Sequence, residues 1–196
     1  PEHEYYRNQS KKTDGNIYLK ATYDLSKGLS AYADLQYRHI DYTIDGTNDK
    51  YDWNKNTLRP LAIDKKFDFF NPKVGLNWNI NSNHRIYASF SVAQKEPTRN
   101  NYTDGNPDSY PKAEKLLDYE AGYTFATHWL TAGANFYYMD YTDHERRLLS
   151  VGDWSVYRTH LGLVAYGASF SAAYTAPEER WSASVGVRAD GNTYSS

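Results

Sequence analysis

Four aspartates in one short polar stretch are the first residues whose spacing could support chemistry. Asp41, Asp45, Asp49 and Asp52 lie on either side of Gly46. Carboxylate oxygens are the ligands that calcium prefers, so this stretch could hold a calcium ion. Its spacing, however, does not match that of an EF-hand loop. We interpret the stretch as a solvated acidic loop, and the sequence predicts no metal site.

The histidines and the other carboxylates give no recognisable catalytic arrangement. No two histidines have the spacing of a metal site, and no Ser, His and Asp set forms a recognisable triad. Asp34 and Glu120 could act as a glycosidase pair, but a wet surface with both charge signs explains them better. The sequence therefore predicts no catalytic residues, no cofactor and no enzyme. The histidines in question are His39, His84, His128, His144 and His160.

Ligand binding is the chemistry that the remaining polar segments could support. Residues 95–104 mix both charge signs with Asn and Tyr. This segment could shape a ligand entrance, or its Asn and Asp side chains could fix a strand end through local hydrogen bonds. Aromatic rings in the polar segments could stack on a sugar or an aromatic chelator, or pack on one another in a collapsed loop. The candidate ligand-binding residues are Tyr51, Trp53, Arg99, Tyr102 and Tyr110.

The composition narrows the class of protein that must position these residues. The 196 residues carry a formal net charge of -2, which leaves no concentrated basic surface for nucleic acid. Cysteine is absent, so disulfides and thiolate metal ligands are excluded. Aromatic residues make up 16% of the chain and 20 of them are Tyr, which favours strands and oil–water boundaries. No apolar stretch approaches the roughly 20 residues of a membrane helix.

Strict alternation of apolar and polar residues is the dominant pattern along the chain. In residues 17–25 the odd positions are apolar, and the pattern resumes over residues 29–37 after a turn at 26–28. Successive strand side chains point to opposite faces, so two such runs around a tight turn form a β-hairpin. Three more hairpins follow, with turns at residues 81–83, at 126–128 and near Pro177. The pattern predicts eight strands of about ten residues each, with little helix.

The connections between the hairpins are long and polar. We expect loops over residues 43–66, 93–115 and 141–160, alternating with the tight turns. Long loops without structure are uncommon in compact domains. Short turns at one end of a sheet and long loops at the other are typical of an outer-membrane barrel. The expected fold class is therefore all-β, an antiparallel up-and-down transmembrane β-barrel.

A soluble, Tyr-rich β-sandwich that binds carbohydrate is the alternative, because a sandwich sheet also has one polar face. It predicts that Ile17, Leu19, Leu76 and Phe90 face a shared core and that the chain folds without detergent. In a barrel these residues would face lipid, with aromatic residues such as Trp78 near the ends of the strands. The one-sided long loops favour the barrel.

Several segments of the sequence are similar to those of one protein family. The chain resembles the C-terminal half of the barrel in TonB-dependent outer-membrane receptors, particularly those of Bacteroidota, in KFDFFNPKVGLNWNINSNHRIYASFSVAQKEPTRNNYTDGNP, LLDYEAGYTF and LTAGANFYYMDYTD. It resembles the preceding hairpin of the same proteins in NIYLKATYDLSKGLSAYADLQYRHIDYTIDGT. The likeness covers roughly residues 5–143 and weakens beyond them.

The resemblance implies a barrel of about 22 strands with a plugged lumen, in the outer membrane of a Gram-negative bacterium. Residues 1–196 would then be one part of the barrel domain, without the plug, and both ends would be internal to a longer protein. The implied function is TonB-energised uptake of a scarce nutrient such as a ferric siderophore. The implied partners are outer-membrane lipid, TonB acting through the plug, a small ligand such as an iron chelate, and a surface lipoprotein. A passive porin or structural barrel is the alternative within the membrane class.

Overall fold

The computed structural model describes residues 7–103, 110, 112–149, 156–177 and 181–195. They form one antiparallel sheet of eight strands, each paired with its neighbours in chain order, with β1 and β8 at its open edges. This topology confirms the predicted all-β class with antiparallel up-and-down strands, and the described sheet is open. The strands are β1 (Asn8–Ser26), β2 (Leu29–Asp52), β3 (Thr57–Asn79), β4 (His84–Lys95), β5 (Glu114–Ala126), β6 (Leu130–Leu149), β7 (Val156–Thr175) and β8 (Ser182–Ser195). The described residues also contain one short helix, α1 (Arg99–Thr103), and no helix long and apolar enough to cross a membrane.

Tight turns join consecutive strands at one end of the sheet, as the alternation predicts. Gly28, between β1 and β2, has a φ of 80°. A Cβ at this position would lie 2.3 Å from the Asn79 carbonyl oxygen, so only glycine fits. Between β3 and β4, the Asn81 side chain accepts hydrogen bonds from the backbone N–H groups of Asn83 and His84 at 2.9 and 3.0 Å. These bonds close the turn in place of a backbone acceptor.

The long polar connections at the other end are mostly strand, so the loops predicted there are wrong in two of three cases. β2 and β3 continue through residues 43–66 and leave only a turn at 53–56. β6 and β7 likewise continue into 141–160, where residues 150–155 lie outside the described part. The strands therefore run from 12 to 24 residues. In a β-hairpin, each strand supplies hydrogen-bond partners for the backbone N–H and C=O groups of the other. The two strands can therefore continue beyond the point where the alternation of apolar residues ends.

One face of the sheet, the outer face, carries a band of apolar side chains next to the tight turns. Ile17 and Leu19 in β1 are 70% and 65% exposed, and the band continues through Phe136, Phe170 and Val187. No second sheet covers this band in the described part of the chain. A contiguous apolar surface of this kind is unfavourable in water and stable against lipid. The prediction that Ile17 and Leu19 share a core with a second sheet is therefore wrong.

β2 changes the polarity of its two faces without changing register. Up to Tyr37 its apolar side chains occupy odd positions on the outer face, whereas Ile40, Tyr42 and Ile44 occupy even positions on the opposite, inner face. The pairing of β2 with β1 is unbroken through this point. From His39 onward the outer face of β2 is polar, so the apolar band ends at this level. We call residues 7–15 and 39–68, which lie beyond this level, the extension.

The extension separates from the rest of the sheet at Pro72. β3 pairs with β4 only over residues 73–79, although β3 begins at Thr57 and β4 continues to Lys95. Proline has no N–H to donate, so it cannot continue a ladder on that side of the strand. The extension is consequently a three-stranded sheet of β1, β2 and β3 that is not hydrogen-bonded to β4.

A small buried core lies on the inner face of the extension, and α1 covers it. Burying apolar side chains of this size stabilises a fold by about 1.5–3 kcal/mol each. Packing of α1 therefore holds the connection between β4 and β5 against β2 and β3. The core consists of Ile40, Tyr42, Ile44, Leu61, Ile63, Phe69 and Tyr102.

Candidate functional site

Tyr51 and Trp53 lie at the tip of the β2–β3 hairpin. Their rings meet edge to face with centroids 4.8 Å apart, and the Tyr51 hydroxyl donates a hydrogen bond to the Asn56 Oδ1 at 2.8 Å. Trp53 is 85% exposed. An exposed aromatic pair that is held by its own turn loses little side-chain freedom when a ring stacks on it. Both residues therefore stay predicted ligand contacts.

Tyr102 lies in the core of the extension, away from solvent. It is 1% exposed, and its ring centroid lies 5.9 Å from that of Tyr42 and 5.4 Å from that of Tyr110. Burial raises the pKa of the Tyr102 hydroxyl to about 12. Tyr102 and Tyr110 thus pack on one another within the connection, and a ligand reaches the Tyr102 ring only if α1 moves. The structure does not bring these two rings into contact with the Tyr51–Trp53 pair.

Local hydrogen bonds fix the start of α1 and tie it to β1. The buried Asn101 Oδ1 accepts a hydrogen bond from the Thr98 N–H at 2.8 Å, and the Asn101 N–H donates to the Thr98 carbonyl at 3.0 Å. Arg99 donates from Nη2 to the side-chain Oδ1 of Asn8 and, at 3.5 Å, to its carbonyl oxygen. Residues 98–101 therefore make local bonds of the kind that the structural interpretation of this segment predicts, and Arg99 points to β1. Asp104 lies outside the described residues.

Four charged side chains meet on the inner face at the base of the extension, and we call them the Arg38 cluster. Arg38 donates from Nε and Nη2 to the two carboxylate oxygens of Asp14, at 2.9 and 2.5 Å. Its Nη1 donates to the Glu96 Oε2 at 3.1 Å, and Lys12 donates to the Glu96 Oε1. The cluster was not predicted, although the mixed charges around Glu96 and the even positions of Lys12 and Asp14 were available signals.

Pairing within the Arg38 cluster keeps all four groups charged at neutral pH. The Arg38 guanidinium holds the pKa of Asp14 well below its usual range, at about 2. Burial opposes ionisation of Glu96, but the hydrogen bond from Lys12 and the charge of Arg38 lower its pKa overall. The hydrogen bond to Glu96 in turn raises the pKa of Lys12. The two cations and the two carboxylates therefore cancel.

Nearer the tight turns, the inner face carries polar side chains that include two acceptor atoms not used by the described residues. Asn71 Oδ1 and Asp118 Oδ1 are buried without a hydrogen-bond partner among the described residues. Lys20 lies 3.1 Å from Asp34, so Asp34 belongs to an ion pair in the strand wall. An open recess of about 540 Å³ in this region is lined by Tyr18, Lys20, Asp34, Gln36, Asn71 and Lys73.

The aspartates of residues 41–52 do not converge on one point. Asp41 lies on the outer face, 3.4 Å from the His39 Nε2 and 3.5 Å from the Lys66 Nζ. Asp52 accepts a hydrogen bond from the Asn54 N–H at 3.0 Å and so closes the hairpin tip. Within the described ranges, no group of three or more His, Cys, Asp or Glu side chains is placed to hold a metal ion.

Comparisons with known proteins identify the architecture. A family model described as "TonB dependent receptor-like, beta-barrel" matches residues 1–196. The ferric yersiniabactin uptake receptor FyuA from Yersinia pestis matches with a TM-score of 0.71 and 15% identity, over 96% of this chain and 28% of its own. The FrpB iron transporter from Neisseria meningitidis (F3-3 variant) matches with a TM-score of 0.69 and 17% identity, over 96% of this chain and 27% of its own.

A third solved structure shows the same fold in a protein with different cargo. The copper transporter OprC matches with a TM-score of 0.71 and 13% identity, over 93% of this chain and 29% of its own. A comparison with curated protein sequences gives no match. Identities this low show the shared fold alone, and the chain spans less than a third of the length of the three solved relatives.

Proposed function

The chain belongs to the TonB-dependent receptor β-barrel family, and we propose that it forms part of the wall and outer extensions of a nutrient receptor. Members of this family are transport receptors in the outer membrane of Gram-negative bacteria. The observation that carries the proposal is the apolar band on the outer face, in which Ile17 and Leu19 are exposed without a covering sheet. Lipid is the solvent that such a band fits. The proposal includes no enzymatic activity, no cofactor and no nucleic acid.

Residues 1–196 are, in this proposal, one portion of a larger barrel. The eight strands form an open sheet, whereas every strand edge of a membrane barrel must be paired. The chain spans 27% of FrpB and 28% of FyuA. Eight strands are roughly a third of a barrel of about 22, and a plug in the same chain would lower that share of the whole receptor. β1 and β8 then pair with further strands of the same protein.

A plug in the lumen is the second part of the proposal. Asp34 and Glu120 place carboxylates on the inner face, in front of which a plug would lie. A plug that offers donors or cations would satisfy these groups, whereas an open porin leaves them to water. TonB would act on this plug to admit the ligand to the periplasm.

An iron chelate, such as a ferric siderophore, is the proposed ligand. The choice is supported by FyuA, a ferric yersiniabactin uptake receptor, and by FrpB, an iron transporter, while the copper transporter OprC shows that the fold does not select iron by itself. Tyr51, Trp53 and Arg99 are the proposed contacts in the structure as it stands, and Tyr102 and Tyr110 become contacts after α1 moves. A surface lipoprotein is a further proposed partner.

Thiol labelling on intact cells tests the proposed topology. The chain has no cysteine, so Asn54→Cys at the hairpin tip and Ser82→Cys in a tight turn introduce single probes. In the full-length receptor, a membrane-impermeant maleimide should label Asn54→Cys on intact cells. It should label Ser82→Cys only after the outer membrane is permeabilised. The reverse pattern would contradict the orientation, and labelling of both variants in a soluble fraction would contradict the barrel.

Uptake of a radioactive ferric siderophore separates a receptor from a porin. Cells that express the full-length protein should take up the chelate, and cells without TonB should not. Uptake that is independent of TonB would favour the passive porin. If the chelate is not taken up either with or without TonB, an iron chelate is not the ligand.

A further inference from the structure

The Arg38 cluster has a fixed half and a movable half. Asp14 and Arg38 belong to β1 and β2, whose backbone pairing is continuous around them. Glu96 lies outside the ladder, directly after Lys95, which is the last residue of β4 and pairs with Glu114 of β5, while β4 is paired with β3 only up to Ser91. Arg38 uses Nε and Nη2 for Asp14 and Nη1 for Glu96. Glu96 can therefore leave while Asp14 keeps the guanidinium in place.

The Glu96 carboxylate occupies a site that would suit any carboxylate. Its Oε1 accepts from Lys12 and, at 3.4 Å, from the Arg38 Nη2, while its Oε2 accepts from the Arg38 Nη1. The Glu96 side chain is 14% exposed, so these bonds are made with little water around them. Without Glu96, two cations would face one carboxylate, and the site would carry a net positive charge. Charge-assisted bonds from a planar guanidinium and an ammonium are a strong carboxylate-binding set.

We propose that Lys12 and Arg38 form an anion subsite for a carboxylate-bearing ligand, which displaces Glu96 and thereby releases residues 96–103 from the extension. We call residues 96–103 the strap. The inference rests on the proposed receptor function, for which it names the ligand chemistry and the element that moves. The exchange replaces one carboxylate by another on the same donors, so charge balance in the cluster is preserved.

Release of the strap would change which residues a ligand can touch. With Glu96 displaced, the strap is still held by contacts that include the Arg99 bonds to Asn8, the packing of Tyr102 and the burial of Asn101. Loosening of these contacts exposes the rings of Tyr42 and Tyr102 on the inner face. The anion subsite and the aromatic rings would then bind different parts of one ligand, and Arg99 would be free to join them.

Limited proteolysis of the full-length receptor in outer-membrane vesicles tests the exchange. Arg99 is exposed but lies in α1, which is bonded to Asn8 and packed on the extension, so we expect trypsin to cut after it slowly until the strap leaves. Lys55, exposed at the hairpin tip, provides an internal reference. Citrate serves as the polycarboxylate probe, and sodium chloride at equal ionic strength controls for screening. We expect citrate to raise the rate of cleavage after Arg99, relative to Lys55, by about tenfold, with no rise in chloride. An equal rise in both salts would overturn the proposal.

Three variants distinguish exchange of carboxylates at the subsite from a non-specific loosening of the strap. Glu96→Gln removes the competing carboxylate, so we expect rapid cleavage after Arg99 without citrate. Lys12→Gln weakens the subsite, so citrate should no longer accelerate cleavage. Asp45→Asn makes the same acid-to-amide change at an exposed site and should behave as the wild type. Wild-type cleavage in Glu96→Gln, or a full citrate response in Lys12→Gln, would contradict the exchange.

Calorimetry on the detergent-purified receptor gives a second readout. Citrate should bind Glu96→Gln about tenfold more tightly than the wild type, because no internal carboxylate competes. Equal affinities would overturn the proposal. A gel of the same preparations distinguishes the two levels of failure. A barrel that stays heat-modifiable but shows no citrate effect contradicts this inference alone, and loss of heat modifiability contradicts the receptor function itself.

Discussion

The ring of Tyr32 in β2 lies directly over Gly75, its cross-strand partner in β3, on the inner face of the sheet. A Cβ on Gly75 would stand 2.6 Å from the ring atoms Cε1 and Cζ of Tyr32, and 2.7 Å from the Ala88 carbonyl oxygen. Glycine in these strands thus makes room for a tyrosine ring from the neighbouring strand. The packing of that ring on the glycine backbone holds the two strands together. The same arrangement recurs for Tyr87 over Gly122 and for Tyr137 over Gly167.

Gly75→Ala should destabilise the barrel, although glycine-to-alanine changes in strands usually stabilise. The added methyl would displace the Tyr32 ring or separate β3 from β4, at a cost of about 1–3 kcal/mol. Gly186→Ala is the matched control, because its nearest atom would be the Phe170 carbonyl oxygen at 3.8 Å. The temperature at which the folded gel band converts to the unfolded band should fall for Gly75→Ala and stay level or rise for Gly186→Ala. Equal shifts would contradict the ring-over-glycine account.

Leu19→Arg should destabilise the barrel in membranes by about 2–4 kcal/mol, because it places a charge in lipid. Thr22→Arg, on the inner face of the same strand, should be tolerated because that face is wet. Refolding into lipid vesicles across a denaturant series would measure both unfolding free energies. A smaller loss for Leu19→Arg than for Thr22→Arg would reverse the assignment of the two faces.

Tyr102→Ala should unfold the inner face of the extension locally and leave the rest of the barrel intact. Removing a fully buried aromatic ring costs about 3 kcal/mol or more, and here the loss falls on α1 and the strands that it covers. Trp53→Ala removes an exposed ring and should not change stability. Hydrogen exchange in residues 39–68 should accelerate in Tyr102→Ala alone. Similar protection in the two variants would show that α1 does not hold the extension.

The contribution of the Arg38 cluster to stability should persist in mild acid. Pairing lowers the pKa of Asp14 to about 2 and also lowers that of Glu96. A carboxyl group with a lowered pKa stabilises the fold fully above its ordinary pKa of about 4, and the stabilisation is lost as the pH falls through the lowered value. The difference in unfolding temperature between the wild type and Glu96→Gln should therefore be equal at about pH 7 and about pH 5. It should shrink by about pH 3, and a decrease already at about pH 5 would contradict the pairing.

Alternation predicted the strands along the apolar band because one face there is apolar throughout. It did not predict the extension, because the apolar residues of β2 move from the odd row that ends at Tyr37 to the even row that begins at Ile40. The apolar residues on the outer face therefore end at Tyr37, although the backbone pairing of β1 and β2 continues past it. The even-numbered apolar residues of β2 are buried on the inner face because α1 packs on them. Alternation within a strand carries no information about α1.

In the candidate site, too, the features set by neighbouring residues could be predicted, whereas contacts between residues far apart in the sequence could not. Tyr51 and Trp53 lie in a hairpin tip, so their exposure follows from the local sequence. The burial of Tyr102 depends on Tyr42, which is sixty positions away in the chain. The contact between Lys12 and Glu96 joins residues 84 positions apart, so no spacing within a motif could predict it.

Heat modifiability of the natively extracted protein on a detergent gel tests the central claim most directly. A membrane barrel resists detergent until it is boiled, so the account predicts a band that changes its migration on boiling. The boiled mass should lie far above 22.6 kDa, because the chain is proposed to be one portion of a larger receptor. A monodisperse species of 22.6 kDa that needs no detergent and shows no shift on boiling would contradict the account.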